Sequence, residues 1–195
     1  MGGMDVFKAL FWYFVLYSFL GFLVEVAYAR GLGVEKQDRK CFYFLPLCPV
    51  YGVGALLILA PAARLSPYPA LAAGWSALAA TAAEYAMSLF YEKALGVSFW
   101  DYAQFPGNLG GRVCPLFSAF WCLLGLVTVY GIQPLAAAGV ERLPDWLLPP
   151  AAAALALDGA LTVFLLRRSG STDVLCWYRR LPLPILPNSK SDLKN

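Results

Sequence analysis

The sequence contains no histidine. That excludes imidazole acid–base chemistry, a His-bearing catalytic triad, haem ligation by His and every zinc site that uses it. Charge is scarce: Asp, Glu, Lys and Arg make up 14% of the 195 residues, against ~25% in a soluble domain. The five cysteines, at 41, 48, 114, 122 and 176, form no C-x-x-C pair, so they read as embedded thiols and not as a metal or redox motif. No Gly-x-x-x-x-Gly-Lys-Ser/Thr run occurs, so this chain does not hydrolyse ATP as a P-loop protein. A net charge of +3 gives no footprint for nucleic acid.

Apolar residues fill the space that charge leaves: 60% of the chain is hydrophobic, against ~45–50% in soluble proteins. The composition is that of a membrane protein. A spanning helix needs ~20 mostly apolar residues, and five segments qualify: Val6–Ala29, Leu47–Arg64, Tyr68–Tyr91, Pro115–Pro134 and Trp146–Leu166. The second is short, and Pro46 and Pro49 at its start predict a broken or tilted helix. The expected fold is all-α, a polytopic transmembrane helix bundle. Residues 1–166 form the membrane domain and residues 167–195 a basic, Pro-rich cytoplasmic tail. The first segment reads as a span and not a signal peptide, because its apolar run is too long and Glu25 lies within it.

Basic residues set the expected orientation. Arg30, Lys36, Arg39 and Lys40 fall in the first loop, Lys93 and Arg112 in the third, and six more in the tail from Arg167 onward. The opposite side holds Lys8, Arg64 and Arg142. The N-terminus is therefore expected outside and the C-terminus in the cytoplasm of a multi-pass plasma-membrane protein.

Acids inside apolar runs are the sharpest functional signal, since each costs ~2.5–3.5 kcal/mol to insert and usually faces a bundle interior. Glu25, Glu84 and Asp158 qualify, whereas Glu92 reads as interfacial. Helical spacing puts Phe14, Ser18, Gly21, Glu25 and Tyr28 on one face, and Ala73, Ala77, Ala80, Thr81, Glu84 and Ser88 on another. These small-residue faces are expected to pack together. Glu25 lies about eight residues from the middle of its span, ~12 Å towards the predicted cytoplasmic side. It reads as one wall of a cytoplasm-facing polar pocket, with Arg112 or Arg39 as its partner.

The loop VSFWDYAQFPGNLGGRVCP supplies Trp100, Asp101, Tyr102, Asn108 and Arg112. A Gly-rich turn entering a helix, with an Arg beside it, can hold an anion. The same Arg could equally sit at the membrane surface or pair with Glu25 or Glu84.

YSFLGFLVEVAY, CPVYGVGALL, EYAMSLFYEKALGVSFWDYAQFPGNLGGRVC and LFSAFWCLLGLVTVYGIQP together resemble the CmpB-type family of ABC-transporter type IV membrane proteins, over roughly residues 10–135. Where that family tends to have Asn-Arg-Gly and Gly-Pro before Cys-Pro, this chain has Asp38-Arg39-Lys40 and Leu47. By carry-over, Glu25, Arg39, Tyr51, Glu84, Trp100, Asp101, Tyr102, Asn108 and Arg112 are the candidate substrate-binding residues. The resemblance implies transport, with membrane lipid and a separate ATPase or other membrane subunit as partners, and no cofactor. Two other readings stay open. One is a membrane enzyme acting on a lipid-linked substrate through carboxylates, and the other is a non-catalytic accessory or lipid-sensing protein.

Overall fold

Proline punctuation and apolar length set where each helix begins and ends. The computed structural model describes residues 6–33 and 40–180, with side chains through Trp177. Among these residues the chain is helical throughout apart from its loops, with one isolated bridge between Leu109 and Val113. Helix α1 (Val6–Gly31) is continuous over 26 residues. Pro49 starts α2 (Pro49–Leu59), and Pro61 separates it from the short α3 (Ala62–Leu65). Pro69 starts α4 (Pro69–Phe90), which widens into a π-helical turn, Tyr91–Leu95, and stops at Gly96 with φ 70°. Pro115 starts α5 (Pro115–Leu126). A π-helical stretch, Val127–Ile132, joins it to α6 (Gln133–Glu141). A short 3-10 turn leads into α7 (Leu148–Ser169), and a second 3-10 segment covers Thr172–Arg180.

Among the described residues, three continuous helical stretches are long and apolar enough to cross a membrane: Val6–Gly31, Pro115–Glu141 and Asp145–Ser169. The expectation of five spans thus meets three. Helix α2 has 11 residues, about 16 Å of rise against a ~30 Å core. Helix α4 is long enough, but Ser76, Thr81, Glu84, Tyr85 and Ser88 dilute its apolar content. The fourth expected span also extends past Pro134. The π-helical widening just before that proline lets the helix continue where a missing N–H would otherwise break the ladder.

Helix α1 packs on α2, α2 on α4, and α4 on α5. The expected direct packing of the α1 and α4 small faces does not occur, because α2 lies between them. Gly52 lets α2 approach α1: a Cβ there would sit 2.7 Å from the Phe14 carbonyl oxygen. Gly125 does the same for α5 against α4, where a Cβ would sit 2.1 Å from Ser76 Cβ. Ser76, under Gly125, and Ala80, which faces Gly54, are 0% exposed, and such small-residue seams are how helices associate without a hydrophobic drive in lipid. Outward faces carry Leu78, Leu123, Leu135, Leu157 and Phe164, all exposed.

Polar tethers close the two ends of the bundle. Lys8 donates from α1 to the Leu143 carbonyl and to Asp145 Oδ1, both at 2.6 Å. At the other end Arg167 Nε donates to the Ala94 carbonyl at 2.8 Å. The segment after α7, expected as an interfacial tail, packs back onto the bundle as far as it is described. Leu175 joins Tyr91, Leu95, Val97 and Leu166 in a buried cluster, and Trp177 Nε1 donates to the Tyr43 carbonyl at 2.9 Å. The Pro-rich remainder, residues 181–195, lies outside the described residues.

Candidate functional site

Glu25 and Glu84 face one cavity from different helices. It encloses about 520 Å³, within the ~300–1,000 Å³ of small-molecule sites. Tyr51, Trp121, Tyr102 and Phe117 supply much of its wall.

Each carboxylate is held by aromatic donors. The Tyr51 hydroxyl donates to Glu25 Oε1 at 2.7 Å. Glu84, only 5% exposed, receives the Tyr102 hydroxyl on Oε1 at 2.9 Å and Trp121 Nε1 on Oε2 at 3.0 Å. The rings of Tyr51 and Trp121 lie 5.0 Å apart, so the two acids belong to one chain of contacts across α1, α2, α5 and α4. Tyr102 stacks on Phe117 with centroids 4.4 Å apart. Burial, and then the Glu84 carboxylate beside it, push the Tyr102 hydroxyl well above its ordinary value. It remains a proton donor at any physiological pH.

The loop before α5 carries Tyr102 to the cavity wall. Tyr102 N–H donates to the Gly111 carbonyl at 2.7 Å, and Asp101 Oδ1 accepts from Ala103 N–H at 2.8 Å. Gly111 has φ 72°, and a Cβ there would meet Asp101 Oδ1 at 2.5 Å, so only glycine fits this turn. Asn108 fastens the same loop, donating to the Ala103 and Phe105 carbonyls and accepting from Gly111 N–H. Trp100 Nε1 donates to the Arg112 carbonyl at 2.9 Å.

Of the nine sequence-derived candidates, Glu25, Tyr51, Glu84, Trp100, Asp101 and Tyr102 line the cavity. Asn108 and Arg112 do not line it. Arg112 was expected to neutralise Glu25 or to hold an anion. Instead its guanidinium pairs with Glu92 on the π-helical turn and lies 5.7 Å from the Tyr85 ring centre. The π-helical turn brings Glu92 round to the loop, which a straight-helix count placed merely at the interface. Arg39 lies outside the described residues. Asp158, the third embedded acid, lies away from the cavity. Its carboxylate accepts from the backbone N–H groups of Phe44 and Leu45, the latter at 2.7 Å, and so anchors the first loop.

Several wall residues had no signal of their own in the sequence. Trp121 and Phe117 sit four apart on α5, which marks a shared face but not what that face meets. Cys41 and Cys48 also line the cavity, with their sulfur atoms 3.8 Å apart. Among the described residues no group of three His, Cys, Asp or Glu gathers to hold a metal ion.

The long apolar helices fit a helical membrane protein. The chain matches the family described as putative ABC-transporter type IV over residues 12–163 and belongs to it. The match runs beyond the resemblance read from the motifs, taking in most of α7 and Asp158. No curated protein and no solved structure matches the chain.

Proposed function

We propose that this protein is a permease-like subunit whose cavity receives a small solute or a lipid headgroup. One observation carries the reading: two carboxylates, Glu25 and Glu84, open onto one cavity of about 520 Å³ between packed helices. Intramembrane carboxylates are expensive to insert and are typically retained where a substrate, ion or proton passes. The cavity shares its end of the bundle with the Tyr91–Leu95 turn, and with Lys93, Arg112 and Arg167. Lys8 and Arg142 sit at the opposite end. By the positive-inside rule, the cavity faces the cytoplasm and the N-terminus lies outside. We place the chain in the plasma membrane, surrounded by lipid. Energy from ATP would come from a separate subunit, since the chain has no nucleotide-binding loop.

The test is native mass spectrometry of the full chain released from its own membrane. A bound small molecule or lipid is expected on the wild type and depleted on Glu84→Gln and Tyr102→Phe. An adduct retained in full by both variants would remove the cavity from the function.

A further inference from the structure

The described wall of the cavity carries more acids than bases. Among the described residues, Glu25, Glu84 and Asp101 line it against one basic side chain, Lys40. The Lys40 ammonium donates to the Tyr43 carbonyl and lies 5.5 Å from the Trp177 ring centre. Arg112, on the loop before α5, is held by Glu92 off the cavity wall.

The donors on the two embedded acids are neutral. Tyr51, Tyr102 and Trp121 supply O–H and N–H groups, which satisfy hydrogen bonding and bring no positive charge to the two carboxyl groups. Both Glu84 oxygens are engaged. Glu25 uses Oε1 only, so its Oε2 has no protein partner among the described residues. Two partly desolvated carboxylates on one cavity call for a positive guest.

The walls say which kind. A divalent metal ion would need several converging oxygen or sulfur ligands, and among the described residues no such group forms. Aromatic faces surround the acids instead: Tyr51 against Trp121, and Tyr102 stacked on Phe117. Rings of this kind attract an organic cation through their quadrupoles, and aromatic cages are the usual receptors for alkylated ammonium groups. The volume of about 520 Å³ holds such a cation together with its apolar substituents.

We infer that the cavity binds organic cations of the ammonium class, the charge set against Glu25 and Glu84 and the substituents against the rings of Tyr51, Trp121, Tyr102 and Phe117. This rests on the reading of the cavity as a solute site.

The experiment is calorimetric titration of the purified full chain in neutral detergent with three probes of similar shape. Phenyltrimethylammonium is the cation, tert-butylbenzene its uncharged isostere and benzenesulfonate the anion. The cation is expected to bind at least tenfold more tightly than either other probe. Glu84→Gln and Glu25→Gln are each expected to weaken it tenfold or more. Gln in place of Glu25 still accepts from Tyr51, so this second variant stands if the first fails to fold, as thermal unfolding without probe will show. Equal binding of the isostere overturns the inference, as does cation binding that both variants retain. Benzenesulfonate bound preferentially, and lost in Tyr102→Phe, overturns the cation class while keeping the solute cavity. A folded wild type that binds no probe overturns the inference. If it also carries no native adduct, the solute reading falls as well.

Discussion

Gly21 on α1 and Tyr51 on α2 approach so closely that a Cβ on Gly21 would lie 2.1 Å from Tyr51 Cγ. The contact seats the tyrosine ring, and the seated ring carries the hydroxyl that meets Glu25. Gly21→Ala must therefore tilt the ring or part the helices, and overpacking of this kind costs ~1–3 kcal/mol. Gly74 on α4 is the counterpart, since a Cβ there would meet nothing within 4 Å. Alanine in a helix interior is worth ~0.5–1 kcal/mol over glycine. Thermal unfolding in detergent should show Gly21→Ala below the wild type and Gly74→Ala at or above it. Equal shifts in both would mean that the α1–α2 approach is looser than described.

Glu84 separates charge from hydrogen bonding. Glu84→Leu leaves the Tyr102 hydroxyl and Trp121 Nε1 without acceptors, and a buried orphan costs ~1–3 kcal/mol each. Glu84→Gln keeps one acceptor oxygen and approximate shape. The expected order of thermal stability is wild type, then Gln, then Leu. Stability of the Leu variant equal to that of the wild type would show that water or a rearranged side chain already satisfies both donors.

The starts of three helices were legible in the sequence because proline marks them: Pro49, Pro69 and Pro115 each begin a helix. The embedded acids were legible as well, since a carboxylate in an apolar run stands out against its neighbours. Their partners were not. Periodicity shows which residues share a face, yet it is silent on which helix that face meets. Thus the Ser18–Gly21 face was assigned to α4 when α2 occupies it. The Glu92 partner of Arg112 was hidden for a related reason. The π-helical turn at Tyr91–Leu95 changes the register of Glu92, and nothing in YEKAL announces a π turn. Trp121 holds Glu84 from 37 residues away, a pairing that only the packed fold creates.

Arg112 and Glu92 should matter little to stability. Their side chains are 20% and 32% exposed, and pairs with such access to solvent are worth ~0–1 kcal/mol. A double-mutant cycle of Arg112→Ala and Glu92→Ala should return a coupling within that range. Both single variants should keep their cavity ligand in the native mass spectrum. Loss of the adduct in Arg112→Ala would return the arginine to the binding site.

Asp158 is expected to guard the first loop. Its carboxylate takes the N–H groups of Phe44 and Leu45, while Thr162 Oγ1 takes that of Tyr43 at 2.9 Å. Hydrogen bonds to a charged group contribute ~1.5–3 kcal/mol each, so Asp158→Ala should free the loop to open locally. Each ~1.4 kcal/mol lost raises the open population about tenfold. Cys41 and Cys48 bracket this loop and are 8% and 2% exposed, so their alkylation reports the opening. N-ethylmaleimide labelling, read by peptide mass spectrometry, should speed up at least tenfold at both in Asp158→Ala. Cys114, equally buried but on the other loop, should keep its wild-type rate. Uniform acceleration at all three would instead mean global destabilisation, and no acceleration would mean that Thr162 and the Trp177 contact hold the loop without the carboxylate.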